Sequence, residues 1–485
     1  MKSSDIVITG VGMVSSIGVG REAFTQSLLG GVSGVRRYDE QACSASEDIV
    51  LQYRCEDGEP VLVQETAVVA GLVDFDAKQF VTPRKALKVM SREIQTAYAA
   101  SQLAVLDAGL QPYLPAQAAA VEQRIKHSQS EPAEQRPGYT EHGKIYSDRI
   151  GTVFGSELLY GPPLELSEAY ADSVNAEGEF DASEFGNSAM RHITPLWLLK
   201  YLPNMPACHY SIVLNAHGPN NSITVGDASG AAALIEACGY LHREIADFLI
   251  VSASGTRLNA TRASFTEDQP LATVVDPISR TSRPHAIDAD GLVRGEGAGG
   301  LVLERADTAA ARGAKPIARV IGFASRFIGS PAFMSGDRTS DIRPDAGRGS
   351  THAIIAAIRG ALDAAEMQAE DIGAVVGHAA GDPVLDACER AALEDVVPDA
   401  AVVLPASLLG HTGAASGMMG LLAACVMLQT GKIPPVPHAE ACVADGSSNS
   451  HPLNVSDQIR DLVKRVVLVI SHTSPGHATA VILAG

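Results

Sequence analysis

Three polar residues in glycine-containing turns have types and settings that suit chemistry: Asp227, His378 and His411. Asp227 lies within ITVGDASGAAALIEACGY, from Ile223 to Tyr240, which predicts a short strand, a tight turn and an almost wholly apolar helix. Backbone N–H groups are free at the start of such a helix, where they stabilise an anion. The turn is therefore a place for a nucleophile or an oxyanion.

Both histidines follow predicted strands, His378 in VVGHAAGDPVLD and His411 in LLGHTGAASG. Enzymes of the α/β class place catalytic groups at the carboxyl ends of strands, and histidine is the commonest general acid or base. Either histidine alone would fit a hydrogen-bonded structural role, but the matched pair beside Asp227 favours a shared site. No H-x-x-x-H spacing or cysteine pair accompanies them, so we expect no metal.

The helix after Asp227 has a second copy in the chain. Ala228-Ser229-Gly230 and the apolar positions after it are echoed by Ala415-Ser416-Gly417, which follows the turn of His411. Small residues in both helices would let the two pack closely side by side. Coincidence between two alanine-rich helices is the simpler interpretation. The more specific one is a duplicated α/β unit, with the site where the two helix N-termini meet.

The composition limits the classes of protein to which the chain can belong. The chain has 485 residues, of which 46% are hydrophobic, and a net charge of −19. That charge argues against a nucleic-acid or anionic-membrane partner, because both need a basic face. Seven cysteines without C-x-x-C spacing favour reduced thiols. The N-terminus does not resemble a signal peptide, and the apolar run from Gly417 to Leu428 is too short for a membrane span. We therefore expect a soluble, cytoplasmic protein.

Two glycine-rich segments superficially resemble phosphate-binding loops. DIVITGVGMVSSIGVG, from Asp5 to Gly20, predicts a strand and a glycine-rich turn, but Ser15 stands where a dinucleotide fingerprint needs its third glycine. GEGAGG, from Gly295 to Gly300, precedes a strand rather than a helix. Its glycines more plausibly permit close backbone approach. We therefore expect no nucleotide cofactor, and no cofactor of another kind.

Strands and helices alternate along the chain, which predicts an α/β fold with central sheets covered by helices. A long amphipathic helix is predicted from Arg84 to Leu110. The following segment, Gln111 to Asp148, is rich in Pro, Gln, Glu, Ser and Lys. We interpret it as a surface insertion.

Over nearly its whole length the chain resembles the β-ketoacyl synthases of the thiolase superfamily. The opening VITGVGMVSSIG and the segment NMPACHYSIVLNAHGPNNSITVGDASGA resemble the family's first strand and nucleophile turn. RPHAIDADGLVRGEGAGGLVLE resembles its strongest signature, in which Gly295, Glu296 and Gly297 match the glycine–glutamate–glycine core. His378, with Pro383 and Asp386, is similar to the first catalytic histidine loop, and Ser407 to Gly417 is similar to the second.

The resemblance implies a thiolase-like duplicated α-β-α-β-α fold of five layers, with two central helices between two sheets. It places an N-terminal half at 1–255, connecting loops at 256–285 and a C-terminal half at 286–485. It also implies a dimer whose interface lies near the nucleophile strand. The expected partners are an acyl carrier protein, acyl chains, and either a second copy or an active ketosynthase.

Several positions depart from the family pattern. Asp227 stands where the resemblance places the nucleophilic cysteine, and Ala406 stands where a lysine is expected. His285-Ala286 replaces an aromatic residue and an acid. The gating loop near the C-terminus reads His472-Thr473-Ser474-Pro475-Gly476. Within the same resemblance, Ser229, Ser474 and Gly476 are candidate substrate-binding residues.

A carboxylate is a weak nucleophile toward thioesters, and an acyl anhydride would hydrolyse quickly. Aspartate near a helix start is, by contrast, an ordinary stabilising cap. The sequence therefore favours a ketosynthase-like subunit without condensing activity, similar to the chain-length factors that pair with an active ketosynthase. Two alternatives stay open. One is malonyl decarboxylation with His378 and His411 stabilising an enolate; the other is acyl transfer or hydrolysis with Asp227 as general base.

Overall fold

The computed structural model describes residues 5–38, 53–56, 59–62, 68–110, 147–161, 163–259, 261–262, 269–331, 347–442 and 453–485. The predicted insertion at 111–148 lies outside the described residues except for its last two positions.

The strands are numbered along the chain as follows: β1 Ile6–Ser15, β2 Gly18–Val19, β3 Val35–Tyr38, β4 Tyr53–Glu56, β5 Glu59–Leu62, β6 Val68–Gly71, β7 Ile150–Gly155, β8 Asn220–Ile223, β9 Phe248–Thr256, β10 Glu296–Arg305, β11 Ala318–Phe327, β12 Ala374–Val376, β13 Ala401–Val403, β14 Lys432–Ile433, β15 Arg460–Asp461, β16 Val466–His472 and β17 His477–Ala484. The helices are α1 Arg21–Leu29, α2 Arg92–Asp107, α3 Ser167–Ala171, α4 Ala182–His192, α5 Met205–Leu214, α6 Ser229–His242, α7 Ala306–Ala311, α8 Thr351–Ala365, α9 Pro383–Val396, α10 Ala406–Leu409 and α11 Ser416–Thr430.

Two sets of five strands share one topology. The first set has the order β1-β10-β9-β7-β8 and the second the order β11-β17-β16-β12-β13. In each set the first two pairings are antiparallel and the last two are parallel. The same order with the same strand directions confirms the duplicated α/β arrangement predicted from the repeated helix.

The two sets are joined rather than separate. Ile6, Val7 and Ile8 of β1 pair with Val320, Arg319 and Ala318 of β11, which makes one 11-stranded sheet with β2 added beside β1. The joint is short, since it involves three residues of each strand, whereas β1 pairs with β10 over its whole length and β11 pairs with β17 from Arg319 to Phe327. Helices α6 and α11 contact strands of both sets, whereas α2 and α5 pack on the first set and α8 on the second.

The central helices α6 and α11 approach closely because each presents a glycine. A Cβ on Gly230 would stand 2.9 Å from the backbone nitrogen of Met418, and one on Gly417 would stand 3.1 Å from that of Ala231. Both glycines follow matching turns, Gly226–Ala228 before α6 and Gly413–Ala415 before α11. Small residues therefore set the spacing at the centre of the molecule, as the sequence predicted.

The first glycine-rich segment forms a strand followed by a turn, as the sequence predicted, and α1 begins at Arg21. β1 is buried throughout and runs to Ser15, because Gly10 and Gly12 lie directly beneath the backbone of α2. Gly300 of β10 lies under the same helix, where a Cβ would stand 2.7 Å from the carbonyl oxygen of Ala100. These glycines allow a helix to lie on the sheet, which is the close backbone approach expected for Gly295 to Gly300.

Other boundaries differ from the sequence predictions. The long helix predicted from Arg84 is broken, since Arg84–Val89 is a 3-10 helix and α2 begins at Arg92 after the Ser91 cap. β10 belongs to the first strand set although it lies beyond the predicted connecting loops at 256–285. The division into halves at 1–255 and 286–485 stays a prediction.

The apolar run around α11 is longer than predicted. Gly413–Thr430 spans 18 residues and is long and apolar enough, by length and composition, to cross a membrane. In the fold, 83% of that segment is buried. Core helices of globular proteins have the same character.

Candidate active site

The Asp227 turn is built by its neighbours. β8 ends at Ile223, Gly226 adopts a left-handed backbone conformation with φ of 64°, and α6 begins at Ser229. The Ser229 hydroxyl donates to the carbonyl oxygen of Gly226 at 2.6 Å and accepts from the N–H of Val225 at 2.9 Å. The turn therefore holds Asp227 just before α6, with 7% of its surface exposed.

His411 reaches the same place from the second repeat. Its backbone N–H donates to the carbonyl oxygen of Val293 at 2.8 Å, and its carbonyl accepts from Gly295 at 3.0 Å. These bonds fix the loop between α10 and α11 against the start of β10. Nε2 of His411 lies 3.3 Å from Oδ2 of Asp227. The two turns that the repeat pattern singled out therefore meet.

An arginine that sequence reasoning missed lies between them. Arg257 follows β9 directly, and its guanidinium contacts Oδ1 of Asp227. Its Nε donates to Nδ1 of His411 at 3.3 Å, and its Nη1 donates to Glu157 at 3.2 Å. Glu157 also pairs with Arg262 at 2.9 Å. All of these groups are buried, so the site contains a buried chain of alternating charges.

The groups around Asp227 determine its protonation state. Burial would raise the pKa of the Asp227 carboxyl, but Arg257 and then His411 hold that pKa well below its usual range. The carboxylate is therefore ionised, with one oxygen on Arg257 and the other facing His411. Because Nδ1 of His411 accepts from Arg257, we assign the ring proton to Nε2, which points at Asp227.

His378 completes the predicted trio and, like His411, comes from the second repeat. It follows β12, and its backbone N–H donates to Glu389 at 2.8 Å. Its ring centroid lies 6.1 Å from that of His411 and 4.8 Å from that of His472. Among the described residues, no side chain or carbonyl bonds its buried Nδ1. Burial first, and the neighbouring His472 second, lower the pKa of His378 to about 3, so the ring is neutral near pH 7.

Asp227, His378 and His411 are residue types that bind metal ions, so their other contacts decide whether they could hold a metal here. Ligand atoms of Asp227, His378 and His411 all lie within 4.8 Å of one another. However, Arg257 places a cation on the Asp227 carboxylate, and its Nε donates to His411. A histidine that binds metal through Nε2 carries its proton on Nδ1, which would then face a second donor. Asp227 and His411 are therefore already engaged within the protein, and the absence of a metal stays our prediction.

The three candidate substrate-binding residues lie in two places. The Ser229 hydroxyl is fully buried and engaged in the turn, so its geometry does not favour direct contact with a substrate. Ser474 and Gly476 lie in the turn between β16 and β17. That turn is tied down by backbone bonds, from Gly349 to the carbonyl of Ser474 at 2.7 Å and from Ile328 to that of Gly476 at 3.1 Å. Substrate binding by all three stays a prediction.

Sequence reasoning also missed Glu389, Glu157 and the approach of His472 to His378. Glu389 lies two turns into α9, where an acidic residue usually indicates a solvated face. The available signal was the row of acids on that helix, Asp382, Asp386 and Glu389, at spacings that place all three on one face. All three are buried.

Two repeated strand sets around paired central helices, with Asp227, His378 and His411 brought together, define a thiolase-like fold. The model of the β-ketoacyl synthase N-terminal domain matches residues 3–155 and 167–309. The model of the β-ketoacyl synthase C-terminal domain matches residues 330–440. The chain belongs to the β-ketoacyl synthase family.

Relatives with established names are distant but cover most of the chain. It is 26% identical to 3-oxoacyl-(acyl-carrier-protein) synthase 2 of Staphylococcus aureus strain COL, over 90% of this chain and 88% of that protein. It is 28% identical to the protein of the same name from Vibrio cholerae, with the same coverages.

Solved structures share the fold over nearly the full length. A β-ketoacyl synthase from Burkholderia phymatum STM815 superimposes with a TM-score of 0.73 at 21% identity, covering 99% of both chains. The ishigamide ketosynthase/chain length factor superimposes with a TM-score of 0.69 at 23% identity, covering 99% of this chain and 98% of that one.

Proposed function

We propose that this chain is a non-condensing, chain-length-factor-type subunit that pairs with an active ketosynthase in fatty-acid or polyketide assembly. The observation that carries the proposal is the buried ion pair between Asp227 and Arg257. Asp227 lies at the helix start where the family resemblance places the nucleophile. An ionised carboxylate neutralised by a guanidinium is a poor nucleophile toward a thioester.

The same pair disfavours Asp227 as a general base. A base needs a free lone pair and a pKa near the working pH. Both oxygens of Asp227 face partners, and its pKa is held well below the usual range. Acyl transfer or hydrolysis through Asp227 is therefore the least supported of the three functions.

A surface suited to a partner lies beside the nucleophile turn. β8 is the edge strand of its set, and its residues are exposed or half-buried, whereas β13 at the opposite edge is buried. Large apolar residues are exposed in the segment that precedes β8 in the chain, 158–212, and they are Leu158, Tyr170, Val174, Phe180, Met190, Leu196, Leu198 and Ile212. The last of them lies on α5, which contacts β8. A strand edge that no other described strand pairs with, together with exposed apolar side chains, is typical of a protein interface.

Similar proteins support the type of partner. One structural relative is described as a ketosynthase/chain length factor, and another as a ketosynthase bound to a hexaketide in complex with its type II PKS acyl-carrier protein. We infer that this chain dimerises through the β8 face, with an active ketosynthase rather than with itself, and works with an acyl carrier protein in the cytoplasm.

Co-expression with an intact ketosynthase of the same organism tests this proposal. Native mass spectrometry should show a one-to-one complex, and Met190→Glu, at an 85% exposed position, should weaken it. Val463→Glu is the matched control, because Val463 is 86% exposed outside the segment. A complex that resists Met190→Glu would place the interface elsewhere. A homodimer that excludes every ketosynthase would overturn the heterodimer.

Malonyl decarboxylation is the second candidate, favoured by the buried His378 ring whose Nδ1 has no partner in the described part of the chain. The carbon–carbon bond to the carboxylate would break, CO2 would leave, and the electron pair would pass to the thioester enolate before protonation to acetyl. His378→Ala should slow CO2 release from malonyl-carrier protein by about 10²–10³, and His411→Ala should slow it less, because Arg257 and Asp227 already engage both ring nitrogens of His411. No release above background from the wild type, alone or in complex, would eliminate this candidate.

A further inference from the structure

A second buried polar cluster lies behind His378 and is centred on one carboxylate. We call it the Glu389 cluster, and it consists of Glu389, His285 and His472. Nε2 of His285 and Nε2 of His472 each lie 3.0 Å from a different oxygen of Glu389. The side chains of His285 and Glu389 have no exposed surface, and that of His472 has 3%. A charged group buried this deeply needs hydrogen-bond partners within the protein.

The same carboxylate holds the loop that carries His378. The backbone N–H of His378 donates to Glu389 at 2.8 Å and that of Ala379 at 3.2 Å. Glu389 therefore joins α9 to the His378 loop, to the end of β16 at His472, and to the segment of His285. One side chain fixes three pieces of backbone that are far apart in sequence.

The charge on Glu389 settles which histidine nitrogens carry protons. Burial would raise the pKa of Glu389, but hydrogen bonds from His285 and His472 hold that pKa well below its usual range. An ionised carboxylate only accepts hydrogen bonds, so both histidines must donate through Nε2–H. Their Nδ1 atoms are buried and unpartnered among the described residues. The orientation of each ring therefore depends on Glu389.

His285 shows that the cluster is held against local backbone preference. Its φ of 61° lies in the left-handed region, which is uncommon for a residue with a side chain. The conformation is fixed by its N–H, which donates to Asp386 at 2.8 Å, and by its carbonyl, which accepts from Arg390 at 2.6 Å. Backbone strain maintained by surrounding bonds is concentrated at functional sites.

His378 needs an external group to orient it. A working histidine normally has one ring nitrogen held by a carboxylate or carbonyl. The Nδ1 of His378 has no such partner in the part of the chain that the structure describes. The nearest ring is that of His472, which meets His378 edge to face at 71° with centroids 4.8 Å apart.

We propose that His472, held by Glu389, is the positioning residue for His378. Glu389 fixes the His378 backbone on one side and the His472 ring on the other, so the His378 ring is held between them while its Nδ1 has no partner among the described residues. His285 occupies the remaining oxygen of Glu389 and prevents the carboxylate from turning away. This role does not depend on whether the site turns over a substrate.

Histidine side-chain NMR on the full-length protein tests the proposal without an activity assay. In the wild type, the His378 ring should give one sharp set of signals and remain neutral at mildly acidic pH. His472→Leu removes both the ring that contacts His378 and the influence of His472 on the pKa of His378. We expect the His378 signals to broaden or split, and its midpoint of titration to shift upward, because His472 lowers the pKa of His378.

Two further variants separate positioning from simple structural damage. His472→Gln keeps an N–H donor for Glu389, so the His378 signals should stay sharper than in His472→Leu. His477→Gln, at a half-buried position in the same hairpin, should leave them unchanged. Unaltered His378 signals in a folded His472→Leu protein would overturn the proposal. If His472→Leu does not fold, broadened His378 signals in His285→Leu, which removes the other histidine donor to Glu389, would support the proposal, and unchanged signals there would overturn it.

Discussion

At the scale of single residues, Arg257 supports the buried charges of the site. Arg257→Met removes the cation shared by Asp227 and Glu157 while keeping much of the side-chain volume. We expect the free energy of unfolding to fall by about 3–5 kcal/mol, because a buried carboxylate is left without a partner. Urea unfolding measures this change.

An exposed ion pair provides the control for that substitution. Arg21 pairs with Asp107 and is 42% exposed, so Arg21→Met should cost under about 1 kcal/mol. Asp227→Asn combined with Arg257→Met should cost less than the sum of the two single changes, since the pair is removed together. If Arg257→Met and Arg21→Met lower the free energy of unfolding equally, the buried ion pair stabilises the protein no more than the exposed one.

The site residues differ in how far the sequence revealed them. Asp227, His378 and His411 could be found because each is a polar residue in a glycine-containing turn, although His411 follows the short helix α10 and not the strand that the sequence predicted. Arg257 follows an apolar strand, but an arginine there usually reaches solvent. Glu389 lies inside a helix, and only the fold shows that its face is turned inward. Polar residues whose partners come from distant segments cannot be recognised from local pattern alone.

At the scale of elements, the close contact of α6 and α11 can be tested with two glycines of one helix. A Cβ on Gly230 would stand 2.9 Å from both Cβ and the backbone nitrogen of Met418. Gly230→Ala should therefore force the helices apart and destabilise the protein by about 1–3 kcal/mol. Thermal or urea unfolding gives the value.

Gly239 is the matched control within α6, because no described atom lies within 4 Å of where its Cβ would stand. Gly239→Ala should stabilise by about 0.5–1 kcal/mol, as alanine does in a helix interior. If both substitutions stabilise, the two helices are not as tightly packed as the structure shows.

The repeat could be predicted at this scale, but the lengths of elements could not. Matching Ala-Ser-Gly triplets revealed the two central helices, whose turns are also alike. The end of β1 could not be placed, because glycines in a strand resemble a turn until the helix lying on them is known. The joining of the two strand sets depends on a brief pairing of β1 with β11, which no local pattern encodes.

At the scale of the whole molecule, buried histidines determine the response to acid. Burial, with His472, lowers the pKa of His378 to about 3, and burial lowers that of His438 to about 4. Unfolded histidine titrates near pH 6.5, so below that pH the unfolded chain binds more protons. The free energy of unfolding should therefore fall as the pH drops from about 6.5 toward those values.

The buried carboxylates affect the free energy of unfolding over a lower range of pH. The pKa values of Asp227 and Glu389 are held below their usual range, so their stabilising contribution is lost only below about pH 4. His378→Gln should flatten the dependence of unfolding free energy on pH between about 4.5 and 6.5. His192→Gln should not, since bonds to Asp172 and Glu168 raise the pKa of His192 and its contribution is lost only as pH rises. An unchanged slope in His378→Gln would contradict a neutral buried His378.

Covalent chemistry at Asp227 is the most direct test of the non-condensing function. The purified chain is incubated with acyl-carrier-protein and acyl-coenzyme A donors, and its intact mass is measured, with an active ketosynthase treated in parallel. We predict a stable acyl adduct on the ketosynthase and none on this chain, because Arg257 and His411 hold the Asp227 carboxylate ionised and engaged. A hydroxylamine-sensitive acyl mass mapped to Asp227 would contradict that prediction. It would show that this chain forms an acyl-enzyme intermediate.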